Sequence, residues 1–343
     1  MKKAIYILFL LAFLASCTNN EHLLKGVTPT TLPAPGALDI VPSAMLPVNT
    51  SAEANFYEDI PYGFDDRQRI DIMMPTSSEP TPLVIYIHGG GFTGGDKTKP
   101  YSKEAALIDN LLSQKVAFAS INYRLLATDG SETQGVLKCL HDSRRAVQFI
   151  KYYANDFNID KNRIVLMGGS AGAGTSLWIG VNDDMAETNP PYAFLKESTR
   201  VQGIVATNTQ ATYDVLDWHT SVFSEYEDEG MTQDVLLGLV GEETAIGFYG
   251  VSSTDELYDN PSVDSKRRRA DMLRVMTNDD PEIYVTRASP AYVFPTNKGD
   301  VLHHPLHAKT ILDKANETGI KCVAVIPQMG IDNSNGVENL VKV

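Results

Sequence analysis

The chain has 343 residues, 43% apolar and 21% charged, a globular composition long enough for one deep-cored domain. Its net charge of -14 at pH 7 repels nucleic-acid phosphates and anionic lipid headgroups, so neither is an expected partner. The one basic cluster, Lys266-Arg267-Arg268-Arg269, sits among acidic neighbours and is expected on a solvated helix face.

Lys2 and Lys3 precede an apolar stretch from Ala4 to Ala15 that is too short to span a bilayer. It ends Leu14-Ala15-Ser16-Cys17, which resembles a bacterial lipoprotein signal over residues 1–17. That resemblance implies cleavage before Cys17, acylation of Cys17 and a lipid-anchored protein of the cell envelope, periplasmic or surface-exposed. An ordinary secretory signal with a chance cysteine is the alternative. Residues 18–52 hold Pro29, Pro33, Pro35, Pro42 and Pro47 without periodicity, and are expected to form a flexible linker to a domain over 53–343. Cys139 and Cys322 lie in apolar segments and read as core residues rather than a disulfide framework.

From Asn55 the pattern alternates between strands and helices. Ile70 to Met74 alternates at period two, and Leu83 to Ile87 is a continuous apolar run of the kind a buried central strand shows. A helix is expected over about 103–113, then a strand from Val116 to Ile121. The apolar steps Val136, Leu140, Val147, Ile150, Ala154 and Phe157 place one stripe on a helix. Arg163 to Met167 is the next strand, followed by a helix to about Val181 and a strand from Val201 to Ala206. Residues 212–280 are acidic and helical in pattern, and are expected to form a cap inserted over the carboxyl edge of the sheet. Glu282 to Thr286 resumes the strands; a long loop, a helix over about 305–318 and a last strand from Lys321 to Ile326 follow. This order predicts an α/β fold: a mostly parallel central sheet, helices on both faces and a helical cap insertion.

Gly168-x-Ser170-x-Gly172 fits a sharp strand-to-helix turn that lifts a serine hydroxyl above the sheet, with small neighbours to avoid a clash. The helix it opens aims N–H groups at the serine. His88-Gly89-Gly90-Gly91-Phe92 follows a buried strand, and the N–H groups of Gly90, Gly91 and Ala171 could together hold an oxyanion. A phosphate cradle is the competing reading of the glycines, but no Gly-x-x-x-x-Gly-Lys accompanies them. His88 is expected to brace its loop rather than to act as a base.

These motifs, with Ile121-Asn122-Tyr123-Arg124-Leu125, Asp142 to Ala146 and Asp160 to Gly172, resemble the α/β-hydrolase superfamily over about residues 55–327. The resemblance is to its HGGG-type esterase and lipase branch, which includes bacterial polysaccharide-deacylating esterases. It implies an α/β-hydrolase fold and a triad in the order Ser, Asp or Glu, His, with Ser170 as nucleophile and Asp300 as acid. Asp300 also fits the first turn of a helix, where the dipole favours a carboxylate. The family places its histidine in the loop after the last strand, which here reads Pro327 to Asn335 and contains none. Three explanations stand side by side: a base from elsewhere (His303 beside Asp300, His304, or His219 in the cap), a chain that ends early, or a relative with weak or no turnover. The expected function is a serine carboxylic-ester hydrolase acting through an acyl-enzyme on a small or carbohydrate-linked ester. A non-catalytic binding lipoprotein of the same fold is the alternative, and an exopeptidase a third. No cofactor and no metal site are expected, because His303, His304 and His307 lack a supporting carboxylate or cysteine cluster beyond Asp300.

Overall fold

Apolar runs bounded by turn residues become the strands: β1 (Ala54–Pro61), β2 (Arg69–Pro75), β3 (Thr81–Ile87), β4 (Ala117–Ile121), β5 (Ile159–Gly169), β6 (Gly203–Thr207), β7 (Glu282–Thr286), β8 (Cys322–Ile326) and β9 (Ile331–Asp332). The computed structural model describes residues 36, 38–43, 45–288 and 291–334; the expected signal segment, Cys17 and the first half of the linker lie outside these residues. The strands form one sheet in the order β1-β2-β4-β3-β5-β6-β7-β8-β9. Six of them, from β4 through β3, β5, β6 and β7 to β8, run parallel, while β1, β2 and β9 add antiparallel edges. Every residue of β3 is buried, so both faces of the sheet centre are covered.

The helices are α1 (Lys99–Lys103), α2 (Ala105–Ser113), α3 (Val136–Tyr152), α4 (Ala171–Val181), α5 (Trp218–Ser221), α6 (Gln233–Val240), α7 (Glu242–Tyr249), α8 (Thr254–Asp259), α9 (Pro261–Ala270), α10 (Met272–Val275), α11 (Lys298–Leu302) and α12 (Pro305–Thr318). On one face Ile108, Leu111 and Leu112 of α2 pack into a cluster with Val84, Tyr86, Phe118 and Val165. α4 is buried along its whole length. The helical segment expected at 103–113 divides at Glu104, and the helix from Val136 stops at Tyr152, five residues short of the apolar stripe's last member.

Between β6 and β7 the chain holds only helices and turns, as the acidic pattern suggested. This segment reaches over the carboxyl ends of the strands. Phe248 of α7 meets Phe92, just past β3, with ring centroids 6.0 Å apart, and Lys298 of α11 bonds Thr244 of α7 at 2.6 Å.

Two expectations need correction. The linker does not extend to residue 52: Val48 is buried in the α2 cluster, and the Asp156 carboxylate accepts the N–H groups of Gly36 and Leu38. The basic cluster is not simply solvated either. Arg267 makes two hydrogen bonds to Asp214, and Lys266 donates to the carbonyls of Tyr249 and Thr133, so α9 clamps the cap onto the domain.

Candidate active site

Ser170 joins β5 to α4 at φ 55°, in the left-handed region that a strand-to-helix turn this sharp requires. Gly172 makes the turn possible: a Cβ there would stand 1.9 Å from the Ile87 carbonyl oxygen. The Ser170 N–H is tied to the carbonyl of Thr207 at 2.9 Å, so β6 fixes the elbow from the other side. Facing it, the loop after β3 takes φ 126° at Gly90, where a Cβ would stand 2.2 Å from the Gly94 carbonyl oxygen.

The N–H groups of Gly90, Gly91 and Ala171 have no acceptor among the described residues. Donors left open around a nucleophile can be occupied by a developing oxyanion. The Ala171 carbonyl, by contrast, is held by the Tyr213 hydroxyl at 2.6 Å and by Thr175 at 2.7 Å. His88 braces the loop, as its position suggested. Its Nδ1–H donates to the Gly89 carbonyl at 2.9 Å, its ring stacks on Tyr123 at 4.4 Å, and burial pulls its pKa down to about 4. Tyr123 and Asp142, both in the motifs quoted above, complete the support: the Tyr123 hydroxyl donates to the His88 carbonyl, and Asp142 accepts two bonds from the Arg124 side chain.

The described segment after β8 contains no histidine. After β8 the chain makes one tight turn and pairs back as β9, Val325 opposite Asp332 and Ile326 opposite Ile331. The histidine at the elbow is His303: its Nε2 lies 2.8 Å from Ser170 Oγ. His303 occupies the end of α11, a short helix inside what the sequence suggested was an irregular loop. For Nε2 to accept the serine proton, the neutral ring must carry its hydrogen on Nδ1.

Asp300 does not supply the acid in this geometry. Its Oδ2 accepts from Asn297 Nδ2 at 2.7 Å and from the N–H and hydroxyl of Thr296, while Asn297 accepts the Asp300 N–H. That is a reciprocal cap at the start of α11, the role its helix-start position allowed. No carboxylate among the described residues bonds His303. The charged neighbour is Arg287, whose Nε donates to the His303 carbonyl and whose Nη1 donates to Asn208 Oδ1 at 2.5 Å. Burial, and then the charge of Arg287, lower the pKa of His303, so the imidazole is neutral at pH 7.

His304 and His307 are engaged elsewhere. His304 Nδ1 caps α12 and its Nε2–H donates to the Val293 carbonyl; His307 accepts the Ala211 N–H and donates to the Val301 carbonyl. His219 lies in α5, with its Nδ1 buried and unpartnered. Cys139 and Cys322 are free and buried. Among the described residues no group of three or more His, Cys, Asp or Glu side chains is placed to hold a metal ion.

Arg287 and Asn208 were missed in the sequence. Each is the first residue beyond a central strand at its carboxyl end, the edge where sites on parallel sheets gather, and that position was the available signal.

Strand order and elbow together define an α/β-hydrolase-fold protein with its serine at the usual crossing. The chain belongs to the BD-FAE family, whose model matches residues 70–245, just over half of it. That match contains Ser170 and the glycine loop and ends ahead of Asp300 and His303. The chain is also similar to gut esterase 1 of Caenorhabditis elegans, 31% identical over 121 residues, which are 33% of this chain and 20% of that protein. It is similar to the chlorogenic acid esterase of Aspergillus niger, 32% identical over 101 residues, or 29% and 19% of the two chains. The chain thus spans about a fifth of the length of these curated relatives. Among solved structures, a truncated carbohydrate esterase from gut microbiota superposes with a TM-score of 0.56 at 17% identity, over 81% of this chain and 89% of that one. A bifunctional GH43-CE protein of Bacteroides eggerthii gives 0.56 at 18%, over 84% and 37%. These likenesses show the fold.

Proposed function

We propose that the chain is a serine carboxylic-ester hydrolase working through a Ser170–His303 pair on a small or carbohydrate-linked ester. The observation that carries this is the 2.8 Å contact between Ser170 Oγ and His303 Nε2 on an elbow surrounded by open N–H groups. His303 takes the hydroxyl proton as Oγ attacks the ester carbonyl carbon. The carbonyl oxygen becomes an alkoxide held by the N–H groups of Gly90, Gly91 and Ala171. Collapse expels the alcohol, which takes the proton from His303, and leaves an acyl-Ser170. Water then repeats the sequence, giving up its proton to His303 and releasing the acid. The carbohydrate-linked class is supported by the similar solved structure named as a carbohydrate esterase.

With no carboxylate at Nδ1 among the described residues, nothing described fixes the tautomer of His303 or stabilises its imidazolium. In serine proteases that loss costs about 10⁴-fold in turnover, so a slow esterase is expected. The same observation favours a second reading, a binding protein that retains the fold. Fluorophosphonate labelling separates the two: an activated Ser170 labels and Ser170→Ala does not, whereas an unlabelled wild type supports the binding protein.

We infer from the Lys2 to Cys17 sequence that the protein is a lipid-anchored lipoprotein of a bacterial cell envelope. Cys17→Ala should move it from the membrane to the soluble fraction after cell lysis; an unchanged distribution would contradict the anchor.

A further inference from the structure

Next to the candidate base is a buried cation for which the described residues supply no anion. Arg287 is only 6% exposed, yet no carboxylate among the described residues pairs with it. Its Nε and Nη1 are spent on the His303 carbonyl and on Asn208, one residue beyond the Thr207 carbonyl that holds the Ser170 N–H. Its Nη2 donates to no described residue and is not fully sealed from solvent. A desolvated guanidinium in this condition is costly unless something negative completes it. The planar fork of an arginine favours a carboxylate, which can take two parallel bonds.

Resting on the ester-hydrolase reading above, we propose that Arg287 receives a carboxylate of the substrate, so that the preferred ester carries one free carboxylate near the scissile bond, as an acylated uronic acid does. The chain's charge of -14 narrows the class further, because an acidic surface opposes a polyanion but tolerates a single carboxylate. Burial lowers the pKa of Arg287 only to about 10, so the side chain is still charged at neutral pH and able to take the anion. A bound carboxylate also cancels the positive charge that opposes protonation of His303, which couples recognition to the proton transfer.

The test uses the full chain carrying Ser170→Ala, titrated calorimetrically with D-glucuronate and with D-glucose at low chloride. Glucuronate is expected to bind at least about ten-fold more tightly, in line with one charge-assisted bond or more. Adding Arg287→Gln should abolish that preference. Equal affinities, or a preference that survives Arg287→Gln, would overturn the proposal. Should the Gln variant fail to fold by circular dichroism, Arg287→Lys is read instead, with the preference expected to fall about ten-fold and an unchanged preference counting against the fork. Turnover of a neutral ester by the wild type is scored separately, so failure of the esterase reading and failure of this one give different results.

Discussion

At the scale of single residues the site rests on a few short contacts that mutation can separate. Removing the base from a serine triad costs on the order of a million-fold. With no carboxylate on His303 among the described residues there is less to lose, so His303→Ala is expected to lower kcat by roughly a hundred-fold, measured on p-nitrophenyl acetate. Asp300→Ala should behave differently. If Asp300 were the triad acid, its loss would cost about 10⁴-fold. As the reciprocal cap of α11 it costs about 1 kcal/mol of stability and less than ten-fold in kcat. Because burial and Arg287 lower the pKa of His303, its neutral, proton-accepting form persists as pH falls through 6.5. The acid limb of the kcat/KM profile is therefore expected to have its midpoint below the ordinary histidine value. An acid limb above that value would point to a carboxylate acting on the ring.

At the scale of elements, the strands were the most legible part of the chain. Buried apolar runs such as Leu83 to Ile87 have one way to satisfy both faces of a central sheet, and β3 forms where that run lies. The elbow was legible for a related reason: its glycines are demanded by backbone contacts a sequence motif preserves. Gly172→Ala would place its Cβ 1.9 Å from the Ile87 oxygen. It is expected to cost on the order of 3 kcal/mol or more in urea unfolding and to remove activity with it. What the sequence concealed was α11. Five residues, Lys298–Leu302, carry too little periodicity to announce a helix, yet they turn Asp300 into its own cap and carry His303 to Ser170 across 133 positions of chain. The clamp of α9 was hidden because charge runs look alike whether solvated or paired. Arg267 and Asp214 are both largely covered, so Arg267→Ala should destabilise by about 2 kcal/mol, seen as a lower urea midpoint at unchanged slope.

Across the whole molecule, buried neutral histidines set the response to acid. Burial lowers the pKa of His88 to about 4 and those of His141 and His307 to about 3, against about 6.5 in an unfolded chain. Above pH 6.5 neither state is protonated at these sites. As pH falls below 6.5 only the unfolded chain takes up protons, so stability declines steadily from there toward the folded-state values. Asp280, whose carboxyl burial raises to about 6, takes up its proton first in the folded state and offsets part of this loss, so scanning calorimetry is expected to show a net fall in Tm between pH 6.5 and 5; a flat or rising Tm across that interval would contradict the neutral rings. The family match reaches residue 245 and so covers Ser170 and the glycine loop, while the proposed base His303 and Arg287 lie beyond it.

On the proposed mechanism Ser170 is activated by His303. Pre-steady-state hydrolysis of p-nitrophenyl acetate, run in parallel on wild type, Ser170→Ala and His303→Ala, tests it most directly. A burst of one p-nitrophenol per chain in the wild type, absent in both variants, is the predicted result. A burst that survives His303→Ala, or a rate that is unchanged in Ser170→Ala, would contradict it.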